Sequence, residues 1–169
     1  MIYPIVKFGD PVLEKTAAPI TVFDDELRKL VEDMFESMYA AHGVGLAAPQ
    51  IGISKRIAVI DVTFKEDPNA KIVLVNPEII HTEGKLTSNE GCLSLPEFRE
   101  KVTRPRKATA RAQNVEGKTI EVTGEDLLAR ALVHETDHLN GRLYINHISA
   151  LKRDMMKRKI RKLMKQGEW

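Results

Sequence analysis

The stretch ALVHETDHLNG, Ala131–Gly141, sets His134, Glu135 and His138 in the spacing H-E-x-x-H. On an α-helix, at 100° per residue, the two histidines stand about 40° apart and one turn away from each other. Both imidazoles can then reach one ion, and Glu135 projects beside it, the arrangement of two ligands plus a carboxylate base found in metallohydrolases. Leu127 and Ala131 continue the same stripe at helical spacing, which turns the histidines toward an apolar interior. The spacing therefore predicts a central helix from about Glu125 to Asn140. Thr123, three residues before Asp126, resembles a capping box, and Gly141 stands where a C-cap glycine belongs. The competing reading is a polar surface helix without a metal.

Working outward, DDELRKLVEDMFESMYAAHG (24–43) repeats Leu27, Leu30, Val31, Met34 and Met38 at spacings of three and four. It predicts a helix ending at Gly43. Short β-rich runs follow at 56–62, 71–80, 107–114 and 118–122, with NVEGK between the last two as a hairpin turn. The run beyond Ala150, with Leu151, Met155, Ile160 and Leu163, predicts an amphipathic helix packed through those four residues. Strands clustered between helices, without βαβ alternation, indicate an α+β fold: small antiparallel or mixed sheets around the H-E-x-x-H helix. With 169 residues and no internal repeat or low-complexity linker, the chain is expected to form one domain.

Composition excludes several classes. No apolar run approaches the roughly 20 residues of a membrane span, and the N-terminus, MIYPIVKFGDPVLEK, has neither a signal-peptide nor a transit-peptide pattern. The single cysteine, Cys92, allows no internal disulfide, which fits a reducing cytoplasm. The net charge is only +2, but residues 150–169 carry eight Lys/Arg against two acids. Such a basic tail suits an anionic partner.

Two histidines need a third ligand. Downstream of His138 the only acids are Asp154 and Glu168, one within the basic run and one near the chain end. The metalloprotease extension H-x-x-G-x-x-H stops at Tyr144. Upstream lies EGCLSLPEF (90–98), where Cys92 is either a thiolate ligand or a small buried hydrophobe. His42, His81 and His147 are rivals, better suited to a helix end, a strand end and the surface. In HGVGLAAPQIG (42–52), two glycines allow backbone to approach a ligand, and Gln50 supplies a neutral amide of the kind that stabilises an oxyanion.

GVGLAAPQ, EGCLS and HETDH, in this order, closely resemble the peptide deformylases. That family's motifs run G-φ-G-φ-A-A-x-Q, E-G-C-φ-S and Q/H-E-φ-D-H-φ-x-G, φ being apolar. The resemblance covers the whole chain, with one departure at Thr136, which faces away from the metal. It implies that Cys92, His134 and His138 hold the metal, Fe²⁺ in this family, with Zn²⁺, Ni²⁺ or Co²⁺ able to substitute. It implies hydrolysis of the formyl group from N-formylmethionine on nascent polypeptides. Glu135 would be the proton carrier, with Gln50 and the Leu93 N–H stabilising the oxyanion. Backbone at Val44, Gly45 and Gly91 would hold the peptide as an added strand, and Leu127, Arg130 and Ala131 would line the methionine pocket. Arg130 is expected to turn its guanidinium to solvent and pack through its stem. Glu90 and Asp137, with Arg104 as counter-ion, either orient the ligands or form ordinary surface ion pairs. In bacterial relatives the terminal helix docks on the ribosome, which suits rRNA phosphates here.

Two other classes fit less well. A metal-free Cys–His hydrolase leaves H-E-x-x-H unexplained. A non-enzymatic RNA- or ribosome-binding module would need a fourth protein ligand to close its metal site.

Overall fold

In a computed structural model that describes residues 1–169, the chain forms three α-helices and seven strands. Helix α1 (Asp25–Ala40) begins at Asp24, whose side chain accepts from the Leu27 N–H. It buries Leu27, Val31, Met34, Phe35 and Met38. Its end departs from expectation by one residue. His42, not Gly43, takes the left-handed conformation (φ 58°), while the His42 and Gly43 N–H groups donate to Tyr39 O and Met38 O. A Cβ at Gly43 would lie 2.7 Å from Leu93 Cδ1, so a larger residue there would displace the end of that side chain.

Strands β1 (Gly45–Ala47), β2 (Ile57–Ile60) and β3 (Ile72–Glu83) follow. Next comes a separate hairpin, β4 (Leu86–Cys92) and β5 (Leu95–Arg104), and then β6 (Lys107–Gln113) and β7 (Thr119–Glu125). The main sheet has the order β1-β2-β3-β6-β7, and every strand pairing is antiparallel. The NVEGK turn closes β6 onto β7: Asn114 N–H donates to Lys118 O, and Gly117 takes φ 82°. The four expected strand segments are therefore present. Strand β1 and the β4–β5 hairpin are additions, and they are the elements that carry GVGLAAPQ and EGCLS.

Helix α2 (Leu127–Leu139) starts later than expected. Strand β7 runs to Glu125, so Thr123 sits in the ladder opposite Thr109 and exchanges a hydroxyl hydrogen bond with it. It cannot cap. The chain turns into α2 through Asp126 alone (φ 53°), which makes no side-chain cap. The far end behaves as anticipated: Gly141 (φ 74°) and Arg142 donate to His138 O and Asp137 O. This is the left-handed glycine ending of a helix. A Cβ at Gly141 would also strike Glu14 O at 2.7 Å.

Ala131 and Leu132 pack α2 onto Ile60, Leu74, Ala110 and Ala112 of the sheet, and Leu139 joins Ala17, Ala47 and Ala58. On its other side α2 meets the β4–β5 hairpin, so the H-E-x-x-H helix lies between two sheets. Helix α3 (Ala150–Lys165) closes the hairpin's outer side through Met156 and Ile160, against Leu95, Val102, Leu143, Tyr144 and Ile145. The expected stripe does not form. Leu151 is 71% exposed and Met155 50%, because residues nine apart on a helix, such as Leu151 and Ile160, lie on opposite sides. The pair Met156 and Ile160, four apart, is the buried face.

Candidate metal centre

His134 and His138 project from α2 toward Cys92, the last residue of β4, where the β4–β5 register shifts between Gly91 and Cys92. Cys92 Sγ lies 3.3 Å from His138 Nε2, which lies 3.1 Å from His134 Nε2. All three ligand atoms fall within 4.8 Å of one another. His42, His81 and His147 do not join them: His42 stacks on Phe64, His81 pairs with Glu83, and His147 with Asp137.

The donor set fits a divalent cation. His134 Nδ1 is 2.7 Å from Glu90 Oε2, so its Nε2 is the atom left to face Cys92 and His138. Burial pulls both imidazoles toward neutrality. For His138, fully interior and beside His134, the pKa falls well below the ordinary value. For His134 the pull of burial is outweighed by Glu135, Cys92 and Glu90, and its pKa stands well above the ordinary value. The Glu135 and Glu90 carboxylates beside His134 thus favour positive charge at the point where the Cys92, His134 and His138 side chains meet. A thiolate and two imidazoles suit a borderline metal and leave a coordination position open.

Around Cys92, His134 and His138 is a buried ion network rather than ordinary surface pairs. Glu90, Arg104 and Arg130 are 4%, 3% and 6% exposed. Arg104 grips both oxygens of Glu90, at 3.0 and 2.7 Å, and reaches Asp137 at 2.9 Å. Arg130 does not turn to solvent. Its guanidinium donates to Glu90 Oε1 at 2.7 Å, Val102 O at 3.1 Å and Leu86 O at 2.8 Å, tying α2 to the hairpin. Burial raises the Glu90 pKa, but His134 and Arg104 more than reverse this and hold the carboxylate well below its usual range. It therefore stays ionised and fixes the His134 tautomer.

Glu135 is 4% exposed, and its Oε1 has no partner within the chain. Burial pushes its pKa up to about 7 against the opposing pull of His134. Its Oε2 occupies the space a Cβ at Gly45 would take, so glycine there lets the carboxylate lie against backbone. Gln50 Oε1 accepts from Ala47 N–H, which aims Nε2 at Ser94 Oγ (3.2 Å) and Cys92 Sγ (3.5 Å). Leu93 lies in the β4–β5 turn, and its N–H has no acceptor within the chain.

These groups open onto a cleft of about 660 Å³. His42, Gly43, Val44 and Gly45 form one side, Gly91 to Leu93 and Pro96 to Arg99 the other, and Leu127, Arg130, Ala131 and His134 the helix wall. β1 and β4 each leave one strand edge unpaired. Thr136, the motif's departure, is buried and donates to Leu132 O of its own helix, away from the ligands. Residues to which the sequence reading gave no role are Ser94, which receives the Gln50 amide, and Phe98, on the cleft wall. Ser94 lay inside the EGCLS motif, whereas nothing local marked Phe98.

The family model of polypeptide deformylase matches residues 2–154. The chain belongs to that family. It is 63% identical over 169 residues to the peptide deformylase of Acidobacterium capsulatum, covering 100% of this chain and 99% of that one. It superimposes with a TM-score of 0.90 on a crystal structure of a peptide deformylase from Legionella pneumophila, at 46% identity over 99% and 98% of the two chains. A peptide deformylase from Synechococcus elongatus, solved in complex with actinonin, gives a TM-score of 0.87 at 36% identity, covering 98% of this chain and 88% of that one. Deformylases are metal-dependent enzymes that remove the formyl group from the N-terminal formylmethionine of nascent polypeptides, and that is this chain's activity. No helix is long and apolar enough to cross a membrane.

Proposed function

We propose that residues 1–169 form one catalytic unit in which Cys92, His134 and His138 hold Fe²⁺, with Zn²⁺, Ni²⁺ or Co²⁺ as substitutes. The observation that carries this is the convergence of their three ligand atoms beside the unpaired Glu135 carboxylate. A divalent metal there supplies Lewis acidity, making water a competent nucleophile at neutral pH and polarising the formyl carbonyl.

The chain's own groups do the rest. Glu135 accepts a proton from the attacking water as the O–C bond to the formyl carbon forms. It returns that proton to the amine nitrogen as the C–N bond breaks and its electron pair moves to nitrogen, leaving a free N-terminus and formic acid, which ionises to formate by giving its proton to the amine or to solvent. Burial keeps its pKa near neutrality, a value suited to both steps, while a bound cation draws it toward the ionised form. Gln50 Nε2 and the Leu93 N–H donate to the oxygen on which charge develops. Backbone at Val44, Gly45 and Gly91 pairs with the extended peptide, a mode indifferent to side chains. Leu127, Ala131 and the wall that Arg130 completes receive the methionine.

The basic face of α3 suits ribosomal RNA phosphates, and the enzyme works in the cytoplasm where nascent chains emerge. Formate release from formyl-Met-Ala by the metal-loaded protein tests the reading. Gln50→Ala should lower kcat roughly 10²-fold with metal retained, and a change confined to KM would make Gln50 a substrate-positioning residue instead. Truncation from Lys157 should weaken salt-sensitive co-sedimentation with ribosomes, and unchanged co-sedimentation refutes the docking role.

A further inference from the structure

Trp169 is the only tryptophan in the chain, and it lies beyond the end of α3 against Phe98 and Phe8. Its ring meets Phe98 edge-on, with centroids 5.9 Å apart and planes at 70°. Its Nε1–H donates to Phe8 O at 2.7 Å, and Lys7 Nζ donates to Trp169 O at 3.1 Å. Phe98 lines the cleft between Glu97 and Arg99. The preceding Glu97 has φ 69°, a conformation rare for a side-chain-bearing residue, so the irregular start of β5 that presents Phe98 must be held by its surroundings.

Phe8 extends the connection inward. Its N–H donates to Ser94 O at 2.8 Å, and Ser94 Oγ receives the Gln50 amide at 3.2 Å. The neighbouring Val6 N–H donates to Gln50 O at 2.7 Å. Trp169 is therefore linked to the cleft by two routes, one through the Phe98 ring and one through the segment that backs Gln50. Nothing in the deformylation chemistry itself requires a tryptophan there.

We propose that Trp169 is a positioning residue for the peptide cleft: acting through Phe98, it fixes the wall met by residues that follow the formylated methionine. The inference rests on the reading of this cleft as the peptide site. An aromatic wall there favours substrates with large apolar side chains after the methionine, and it makes the segment beyond α3 part of substrate recognition.

The test compares formyl-Met-Leu-Leu with formyl-Met-Gly-Gly on the metal-loaded enzyme. Trp169→Ala should raise KM for the leucine peptide by about threefold to tenfold, the effect of one aromatic pair. kcat should stay within about twofold, and KM for the glycine peptide should be unchanged. Trp169→Phe, which keeps a ring against Phe98, should restore most of the loss. Because the chain holds a single tryptophan, its emission gives a readout independent of turnover. The product Met-Leu-Leu should shift the wild-type spectrum, and Phe98→Ala should abolish that shift. Wild-type KM in Trp169→Ala for both peptides, or unchanged emission at saturating Met-Leu-Leu, overturns the proposal. If metal-loaded wild type releases no formate from either peptide, the reading of the cleft fails and the proposal falls with it.

Discussion

Arg130→Met keeps a long flexible stem on α2 and removes a guanidinium that is 6% exposed. Breaking one partner of a buried ion pair costs roughly 3–5 kcal/mol, mostly because the other charge is left without compensation. Here Glu90 retains Arg104 and His134, so the lower end applies, about 3 kcal/mol. Val102 O and Leu86 O lose a donor as well. At roughly 2–4 °C per kcal/mol for a chain of this length, Tm should fall by about 6–12 °C. Arg130→Lys should recover only part of this, since an ammonium cannot span Glu90 and two carbonyls with one planar fork. The assay is thermal unfolding of the metal-loaded protein followed by circular dichroism, with Arg28→Met, from an exposed pair with Asp25, as the control that should not move. A Tm for Arg130→Met within about 2 °C of wild type would refute the argument that this arginine braces the site.

Three further outcomes can be checked. Glu135→Gln should retain metal, measured by elemental analysis, while turnover drops by at least ~10²-fold; near-normal turnover removes Glu135 from the mechanism. Cys92→Ser should lose most metal and activity, because a serine hydroxyl is a poor ligand at neutral pH, and a variant holding about one ion per chain would place the third ligand elsewhere. Asp61 concerns stability and pH. Burial raises its pKa, but hydrogen bonds from Tyr39, Thr63 and the Lys65 N–H outweigh this and hold it at about 2. Against roughly 3.9 in the unfolded chain, that stabilises the fold by about 2 kcal/mol, in full above about pH 4 and lost as pH falls toward 2. Urea midpoints between pH 2 and 5 should fall less steeply for Asp61→Asn than for wild type; parallel curves would contradict the assignment.

Much of the centre was legible because it is local. His134, Glu135 and His138 lie within one turn, and periodicity alone turned them inward. The third proposed ligand was not local: Cys92 reaches them from 42 residues upstream on a hairpin that the residue pattern did not announce. Arg130 shows the limit well. It sits four residues before His134, on the same face of α2, yet its charge argued for a guanidinium turned to solvent, and the structure buries it. A buried arginine needs a carboxylate, however, and Glu90 lies 40 residues away in sequence. The α3 stripe failed for a different reason. The basic helix has apolar residues on more than one side, and only contact with Leu95, Val102 and Tyr144 selects Met156 and Ile160. Thr123 matched a capping pattern, but strand pairing with Thr109 claimed it first.

The unpaired edges of β1 and β4 carry one more consequence. Open strand edges are where proteins ordinarily adhere to their own kind, and most folds blunt them with charge, proline or a covering element. Here both edges border a recess of about 660 Å³, so a folded sheet from another molecule meets the rim first, while a single unfolded strand can enter. The same shape that guards against aggregation thus acts as a clock. Under the proposed pairing of the peptide with these edges, it admits an N-terminus only while that segment is still extended, and excludes it once the newborn protein has folded its beginning away.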